Sequence, residues 1–324
     1  MQSLDSLSKI ISDGISGLDF DRAPRELYDP IHYILSLGGK RLRPALCLLA
    51  CDMVGGKVGE ALDPAIGIEV FHNFTLLHDD IMDKAPIRRG KETVHVKWNP
   101  NAAILSGDTM MALAYEYVMR SPESVRSKVF AVFNKTAIEV CEGQQYDMNF
   151  ETADHVTIAD YLEMIRLKTA VLLAGSLKIG AIIGGADESM ADELYEFGEN
   201  IGIAFQLKDD LLDVFSDQDK FGKTTGGDIV SNKKTFLYLK AFELAGKEDL
   251  HELNRLFSAV VDSPEDKVKG VKTIYEKLGV KALTEEQIDY FYARALQALH
   301  RVALPDAMKG ELARFADQLK KRDH

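Results

Sequence analysis

The chain is 324 residues long, 46% hydrophobic and 28% charged, with a formal net charge of −12. That length allows one large domain or two ordinary ones, and the acidic balance argues against a nucleic-acid binder, since no basic excess covers a face. Any anion site must be built locally, against the overall field. The three cysteines, Cys47, Cys51 and Cys141, make neither a disulfide framework nor a zinc ligand set. Cys47 and Cys51, one helical turn apart, read as reduced core residues. The opening Met1-Gln2-Ser3-Leu4-Asp5 lacks the basic and apolar regions of a signal peptide. The longest apolar run, from about Ala170 to Ala186, is interrupted by Lys178. The expectation is a soluble cytoplasmic protein with no transmembrane segment.

Nine prolines and few alternating stretches favour helices throughout. Residues 1 to about 20 predict a short amphipathic helix with a soft end at Gly14 and Gly17. A second helix starts near Pro24, which suits a first turn, and runs through Tyr28 to Leu37 before Gly38-Gly39 stops it. Lys40-Arg41-Leu42-Arg43-Pro44 then leads into a helix from Ala45 to Met53. Three cations at a glycine break ahead of a helix N-terminus can cradle an anion; the alternative is a solvated basic turn. A long apolar helix follows from Ala61 to Asp83. After a loop containing Pro86 and Gly90, helices cover Asn99 to Met119 and Val125 to Asp147. Thr157-Ile158-Ala159-Asp160, Ser189-Met190-Ala191-Asp192 and Thr284-Glu285-Glu286-Gln287 have capping-box patterns. They predict helices at about 158–171, 190–216 and 285–301, the first two separated by Gly184-Gly185. The loop from Lys220 to Asp228 breaks the pattern, and four further helices finish the chain. No linker or composition shift divides it, so it reads as one all-α domain, 1–324.

The chemistry concentrates in Leu76-Leu77-His78-Asp79-Asp80-Ile81-Met82-Asp83, followed by Arg88-Arg89-Gly90. Asp79 and Asp83 share a helix face, so their charges repel unless a cation intervenes. A second copy, Phe205-Gln206-Leu207-Lys208-Asp209-Asp210-Leu211-Leu212-Asp213, lies far downstream in another apolar helix. Hard oxygen ligands suit Mg²⁺ or Mn²⁺ better than Zn²⁺, which makes Asp79, Asp80, Asp83, Asp209, Asp210 and Asp213 the candidate ligands of several Mg²⁺ ions. Mg²⁺ held by a few carboxylates completes its shell with water and phosphate, so the expected ligand is a diphosphate.

The ordered set Gly38-Gly39-Lys40-Arg41-Leu42-Arg43-Pro44, His78 to Asp83 with Arg88-Arg89-Gly90, Gly107-Asp108, Lys168-Thr169, Phe205 to Asp213 and Gly222-Lys223 resembles the trans-isoprenyl diphosphate synthases, or polyprenyl synthetases, of the short-chain farnesyl and geranylgeranyl type. The resemblance covers nearly the whole chain. It implies a single orthogonal bundle of about a dozen α-helices around a deep central cavity, usually as a homodimer. It implies head-to-tail transfer: an allylic diphosphate (dimethylallyl, geranyl or farnesyl) ionises, isopentenyl diphosphate attacks, and a proton is lost. Two or three Mg²⁺ ions, replaceable by Mn²⁺, assist as Lewis acid and clamp. Carried over by position, Asp79, Asp83, Asp209, Lys168 and Lys223 serve catalysis. Arg88, Lys168, Thr169, Gln206, Lys223 and Lys233 hold the allylic diphosphate, and Lys40, Arg43, His72 and Arg89 hold isopentenyl diphosphate. One departure stands out. The family's usual Gly-Lys-x-Thr-Leu-Pro is here Asn232-Lys233-Lys234-Thr235-Phe236-Leu237, which puts the local backbone and the role of Lys233 in question.

Product length follows from what blocks the growing chain. The resemblance points to Phe74, five positions before Asp79, and to C15–C20 products. A helical wheel places Thr75 and Phe71 nearer the Asp79 face, so Phe71 is a candidate second part of the floor; the alternative is that both phenylalanines are ordinary core. The rival readings are a longer-chain synthase, a class I terpene cyclase, and a non-catalytic subunit of a heteromeric synthase. The cyclase usually lacks the Gly-Gly-Lys-x-x-Arg-Pro element, and the subunit tends to lose aspartates that this chain keeps. A di-iron carboxylate bundle wants Glu-x-x-His pairs that neither acidic motif supplies.

Overall fold

A computed structural model describes residues 2–216, 226–258 and 263–321. Among these the fold is all-α, with one short two-stranded ribbon. The chain packs as two compact units. The first comprises Met1–Lys135, Gly175–Tyr195 and Ala303–Glu311; the second comprises Thr136–Ala174, Glu196–Val302 and Leu312–His324.

The first unit begins with α1 (Leu4–Ser16), capped by the Ser3 side chain and burying Leu7, Ile11 and Ile15 at helical spacing. Helix α2 (Arg25–Ser36) follows Pro24. Helix α3 (Leu42–Met53) starts three residues before the expected Ala45, because Arg41 turns the chain at φ 46° and Pro44 fits in a first turn, where it displaces no helical hydrogen bond. Helix α4 (Val58–Met82) likewise starts three residues early. Both are apolar on nearly all sides and are therefore core helices. The ribbon β1 (Ile87–Arg88) and β2 (Lys91–Glu92) occupies the stretch expected to be plain loop. Ile87 pairs with Glu92 and Arg88 with Lys91. The two linking residues, Arg89 and Gly90, have φ values of 52° and 73°, the pair of positive angles that a type I′ hairpin turn needs. After α5 (Val94–Lys97) comes α6 (Pro100–Val118), with Asn99 as N-cap and Pro100 at its start. Helix α7 (Arg126–Thr152) runs five residues beyond the expected end at Asp147.

In the second unit, α8 (Ile158–Ile165) starts at the Thr157–Asp160 capping box as expected. It does not stop near residue 171. One π-helical turn, Arg166–Ala170, carries it directly into α9 (Val171–Gly184), whose residues from Gly175 on belong to the first unit. The resulting span, Ile158–Gly184, is long and apolar enough to cross a membrane, but 78% of its apolar window is buried inside the protein, as in the core helix of a packed bundle. Helix α10 (Glu188–Phe215) is capped by Asp187, whose carboxylate accepts from Met190 N at 2.8 Å, and not by Ser189. Beyond the undescribed residues come α11 (Gly227–Val230), α12 (Phe236–Leu244), α13 (Lys247–Ser258), α14 (Pro264–Lys277), α15 (Val280–Arg301) and α16 (Asp306–Lys320). Among the described residues, five helices longer than a single turn finish the chain, where four were expected. The Thr284 pattern is not a cap: α15 begins at Val280 after Gly279 at φ 68°, and Thr284 Oγ1 donates back to Val280 O at 2.9 Å. The core of this unit gathers Tyr161, Leu207, Leu211, Leu237, Tyr275 and Phe291.

Close backbone approach fixes how α9 meets α3. A Cβ on Gly180 would fall inside the carbonyl of Cys47, and one on Gly184 would strike Val54 and Cys51. Gly180→Ala is therefore expected to destabilise the protein by about 1–3 kcal/mol through overpacking, measured as a lowered denaturation midpoint against wild type.

Candidate active site

The glycine pair and the hairpin assemble a cationic cradle in the first unit. Gly38, at φ 77°, presents its carbonyl to Arg89 Nη1 in a short hydrogen bond. Gly39 is needed for space, because a Cβ there would lie 2.9 Å from both terminal nitrogens of the Arg89 guanidinium. Arg41 has a different role from its neighbours. It is buried, pairs with Glu69 at 2.5 Å and donates to Leu35 O at 2.5 Å. Glu69 also accepts from Asn73 at 3.0 Å, so the buried pair comes with hydrogen bonds that offset its desolvation. Arg43 Nη1 lies 3.3 Å from His72 Nε2. Because a guanidinium only donates, Nε2 accepts and the ring proton sits on Nδ1. Burial, then Arg43, Arg89, Arg88 and Arg41 in that order, hold the His72 pKa well below the ordinary histidine range. Lys40 is exposed at the rim.

The first acidic motif divides its three aspartates. Asp80 is 3% exposed and takes Arg88 Nε at 2.9 and 2.8 Å and Arg88 Nη2 at 2.8 Å. Asp79 is partly exposed, with Arg88 Nη2 at 3.5 Å, and Asp83 is exposed at the C-cap of α4. On the same helix, Phe74 packs on His78 at 4.8 Å and on Phe71 at 5.6 Å. Phe71 lies fully buried behind it, edge-on to Phe133 at 5.4 Å. Thr75 Oγ1 donates to His72 O at 2.8 Å. Gly107 of α6 lacks a Cβ because His78 fills that space.

The second unit repeats the division. Asp210 is 5% exposed, accepting a short hydrogen bond from Tyr161 Oη and one from Gln206 Nε2 at 2.9 Å. Gln206 Oε1 in turn accepts from Thr169 Oγ1 at 3.1 Å. Asp213 caps α11, accepting from Asp228 N at 3.0 Å. Asp209 is left partly exposed on α10. The π turn presents Lys168, which pairs with Asp147 at 2.6 Å. That turn is seated between two glycines: a Cβ on Gly143 would fall inside Lys168 N, and one on Gly202 would lie 2.6 Å from Ala170 Cα. Asp228 was not singled out as a site residue in the sequence. Burial chiefly, then Asp210, Asp213 and Asp147, push its pKa up, while Lys233 opposes them. Burial likewise raises Asp210.

The Asn232 departure has a plain structural reading. Asn232 sits at φ 58°, the left-handed region where asparagine replaces glycine at least cost. Lys233 N donates to Asp228 O at 2.8 Å and Asn232 N to Ile229 O at 3.2 Å, the two bonds of a Schellman turn. Lys233 Nζ lies 4.0 Å from Asp228. Lys234 instead caps α7, donating to Phe150 O at 2.5 Å and Ala153 O at 2.9 Å. Lys223 lies outside the described residues.

No group of three or more His, Cys, Asp or Glu side chains among the described residues is gathered to hold a metal by itself. That fits Mg²⁺, which takes one or two carboxylates and completes its octahedron with water and phosphate. Asp79, Asp83 and Asp209 keep carboxylates toward solvent, and the crowded acids around Asp228 leave negative charge that a cation would offset. Asp80, Asp210 and Asp213 are engaged by protein donors.

The sequence model of the polyprenyl synthetase family matches residues 24–278. The chain belongs to that family. Polyprenyl synthetase relatives include a geranylgeranyl diphosphate synthase of Methanosarcina mazei, 47% identical over 70% of this chain and 71% of its own. Another is a geranylfarnesyl diphosphate synthase of Aeropyrum pernix, 38% identical over 86% of this chain and 89% of its own. A crystal structure of a geranylgeranyl pyrophosphate synthase superposes with a TM-score of 0.94 at 44% identity, covering 100% of both chains. A polyprenyl synthase of Caulobacter crescentus, complexed with calcium and isoprenyl diphosphate, superposes with a TM-score of 0.85 at 26% identity, over 98% of this chain and 94% of its own. Polyprenyl synthetases work with a divalent metal.

The seating of the π turn yields a test. Gly143→Ala forces Lys168 away from α7, so prenyl-transfer kcat/KM is expected to fall at least tenfold, with the helix content by circular dichroism unchanged.

Proposed function

We propose that this polyprenyl synthetase joins isopentenyl diphosphate head to tail with dimethylallyl, geranyl or farnesyl diphosphate, giving a C15–C20 trans-prenyl diphosphate and releasing diphosphate. The observation that carries the reading is the layout of α4. His72, with Arg43 against it, lies seven residues before Asp79, about 10 Å along the axis. An arginine-built cradle and a carboxylate site at that separation suit two diphosphates held side by side. The family match runs through both compact units, which supports reading 1–324 as one synthase domain. A geranylfarnesyl product, one isoprene unit longer, is the second reading, favoured by the Aeropyrum relative.

Arg43, Arg89 and Lys40 hold isopentenyl diphosphate, and neutral His72 offers its Nδ1 proton to a phosphate oxygen. Arg88, braced by Asp80, together with Lys168, Thr169, Gln206, Lys233 and Lys223, holds the allylic diphosphate. When bound by Asp79, Asp83 and Asp209, two or three Mg²⁺ ions (or Mn²⁺) supply Lewis-acid stabilisation of the departing diphosphate. The fixed cations of Arg88, Lys168 and Lys233 meet the same developing charge without reorganising. The allylic C–O bond breaks, the isopentenyl double bond attacks the cation, and a proton is lost to restore a double bond. The apolar floor of Phe74, backed by Phe71, receives the chain.

The protein acts in the cytoplasm as a homodimer. Buried thiols at Cys47 and Cys51 and a free Cys141 accord with a reducing compartment. Exposed Ile104 and Leu105 on α6, and Phe130 and Ile138 on α7, offer apolar surface for a second copy.

Asp79→Asn and Asp209→Asn are each expected to lower kcat by at least about 10²-fold at saturating Mg²⁺, with the fold intact. Near-normal turnover in either defeats the requirement for both clusters. In steady-state assays, Arg43→Ala or His72→Ala is expected to raise KM for isopentenyl diphosphate more than for the allylic primer. Lys168→Ala should do the reverse and lower kcat. Phe74→Ala opens an apolar void and is expected to shift product to C25 or longer, whereas Thr75→Phe shortens it. Both are read from the chain lengths of dephosphorylated products.

A further inference from the structure

Lys267, on α14, is 7% exposed, and no carboxylate among the described residues forms an ion pair with it. Its ammonium donates to Asn232 Oδ1 in a short hydrogen bond and to Val230 O at 3.4 Å, and lies 5.1 Å from the centre of the Phe257 ring. Burying a lysine with carbonyl oxygens alone is unfavourable, and all of its polar contacts fall on the turn that ends α11. That turn is the one closed by Asn232 in the left-handed conformation, and the next residue is Lys233. The base of α11 is fixed independently, since Gly226 N donates to Asp213 O at 2.7 Å and a Cβ on Gly226 would lie 2.6 Å from Val268. Among the described residues, no backbone hydrogen bond ties the far end of the turn to another helix. There Lys267 supplies the anchor through a side chain.

We propose that Lys267 and Asn232 form a positioning clamp for Lys233. A glycine at 232 would take the left-handed angle unaided. Asparagine takes it less readily, and the Lys267 ammonium holds the Asn232 amide oxygen so that the turn stays closed and Lys233 stays beside Asp228. The proposal rests on the reading above that Lys233 serves the allylic diphosphate. Lys267 acts on Lys233 only through the backbone angle of Asn232, its own hydrogen-bond partner.

The test is a set of variants assayed with geranyl diphosphate, isopentenyl diphosphate and Mg²⁺. Lys267→Met keeps the apolar stem over Phe257 and removes the donor; Asn232→Ala removes the acceptor at an exposed position. Both are expected to raise KM for geranyl diphosphate and lower kcat, about tenfold in kcat/KM, with KM for isopentenyl diphosphate within twofold of wild type. Asn232→Gly, and Lys267→Met combined with Asn232→Gly, are expected to lie within threefold of wild type, because glycine needs no clamp. Failure of glycine to rescue Lys267→Met, or wild-type kinetics in Asn232→Ala, overturns the clamp. Lys233→Ala separates the two layers. If it leaves the geranyl diphosphate parameters unchanged, the role of Lys233 is wrong and the clamp falls with it. If it is impaired while Asn232→Ala is not, only the clamp is wrong. Should Lys267→Met fail to fold, Lys267→Gln, alone and combined with Asn232→Gly, takes its place and is read in the same way.

Discussion

A carboxylate packed into the interior of a helical protein is costly unless strong donors reach it, and each compact unit meets that constraint at the middle aspartate of its acidic motif. In the first, Arg88 returns from the hairpin to embrace Asp80. In the second, Tyr161 and Gln206 converge on Asp210. These contacts orient the motifs. With the middle residue turned inward, helical geometry leaves Asp79 and Asp209 on the partly exposed side. The inward carboxylates thus serve as orienting groups, and the outward ones are left partly exposed. That division suits the proposed Mg²⁺ binding by few carboxylates, with water and phosphate completing the shell.

The cations are placed by unusual backbone. Arg88 ends strand β1 and Arg89 opens the two-residue hairpin turn after it at φ 52°, and Lys233 follows Asn232 at φ 58°. Lys168 projects from a π turn. Non-glycine left-handed residues and π turns are unfavourable relative to regular helix and cluster at functional positions. Here each has an identifiable restraint: the Gly38 carbonyl for Arg89, the seating at Gly143 and Gly202 for Lys168, and the Schellman bonds for Lys233. The regular helices carry the two acidic motifs, and the irregular segments carry Arg89, Lys168 and Lys233. This is sensible physically. Helix periodicity alone sets a carboxylate spacing, whereas a cation that must reach a phosphate from another direction needs the chain to depart from it.

Much of this could be read in the sequence, and the remainder depended on contacts distant along the chain. The all-α class, the long apolar helix expected from Ala61 to Asp83, the Thr157 cap and the two acidic motifs follow from local periodicity and spacing. The ribbon at 87–92 did not, because two-residue strands have too few residues to alternate. The π turn did not, because Arg166–Ala170 has an ordinary helical composition; its cause is the close approach of Gly143 and Gly202, 23 residues before and 36 after position 166. The unequal roles of the three aspartates in each motif were likewise invisible, since Tyr161 lies 49 positions from Asp210. The Thr284 pattern misled for the opposite reason. A Ser/Thr-x-x-Gln string inside a helix looks the same as one at its start, and only Gly279 five residues earlier marks the true boundary.

The electrostatics of the cradle show how a strongly acidic protein can gather positive charge locally. A net charge of −12 spread over the surface is screened beyond roughly 8–10 Å at physiological salt, whereas Arg41, Arg43, Arg88 and Arg89 all act on His72 at short range. Their mutual repulsion is visible in the groups themselves. Burial first and Arg41 next lower the Arg89 pKa, and burial reinforced by the arginines lowers that of His72. For a base whose folded pKa is depressed, protonation favours the unfolded chain, so the folded state loses stability as pH falls below the ordinary histidine value near 6.5. A bound diphosphate reverses both effects, because its charge offsets the repulsion among the guanidinium groups and favours the imidazolium. On the proposed reading, relief of that repulsion contributes to the affinity for isopentenyl diphosphate, and the neutral histidine adds no further positive charge beside the guanidinium groups.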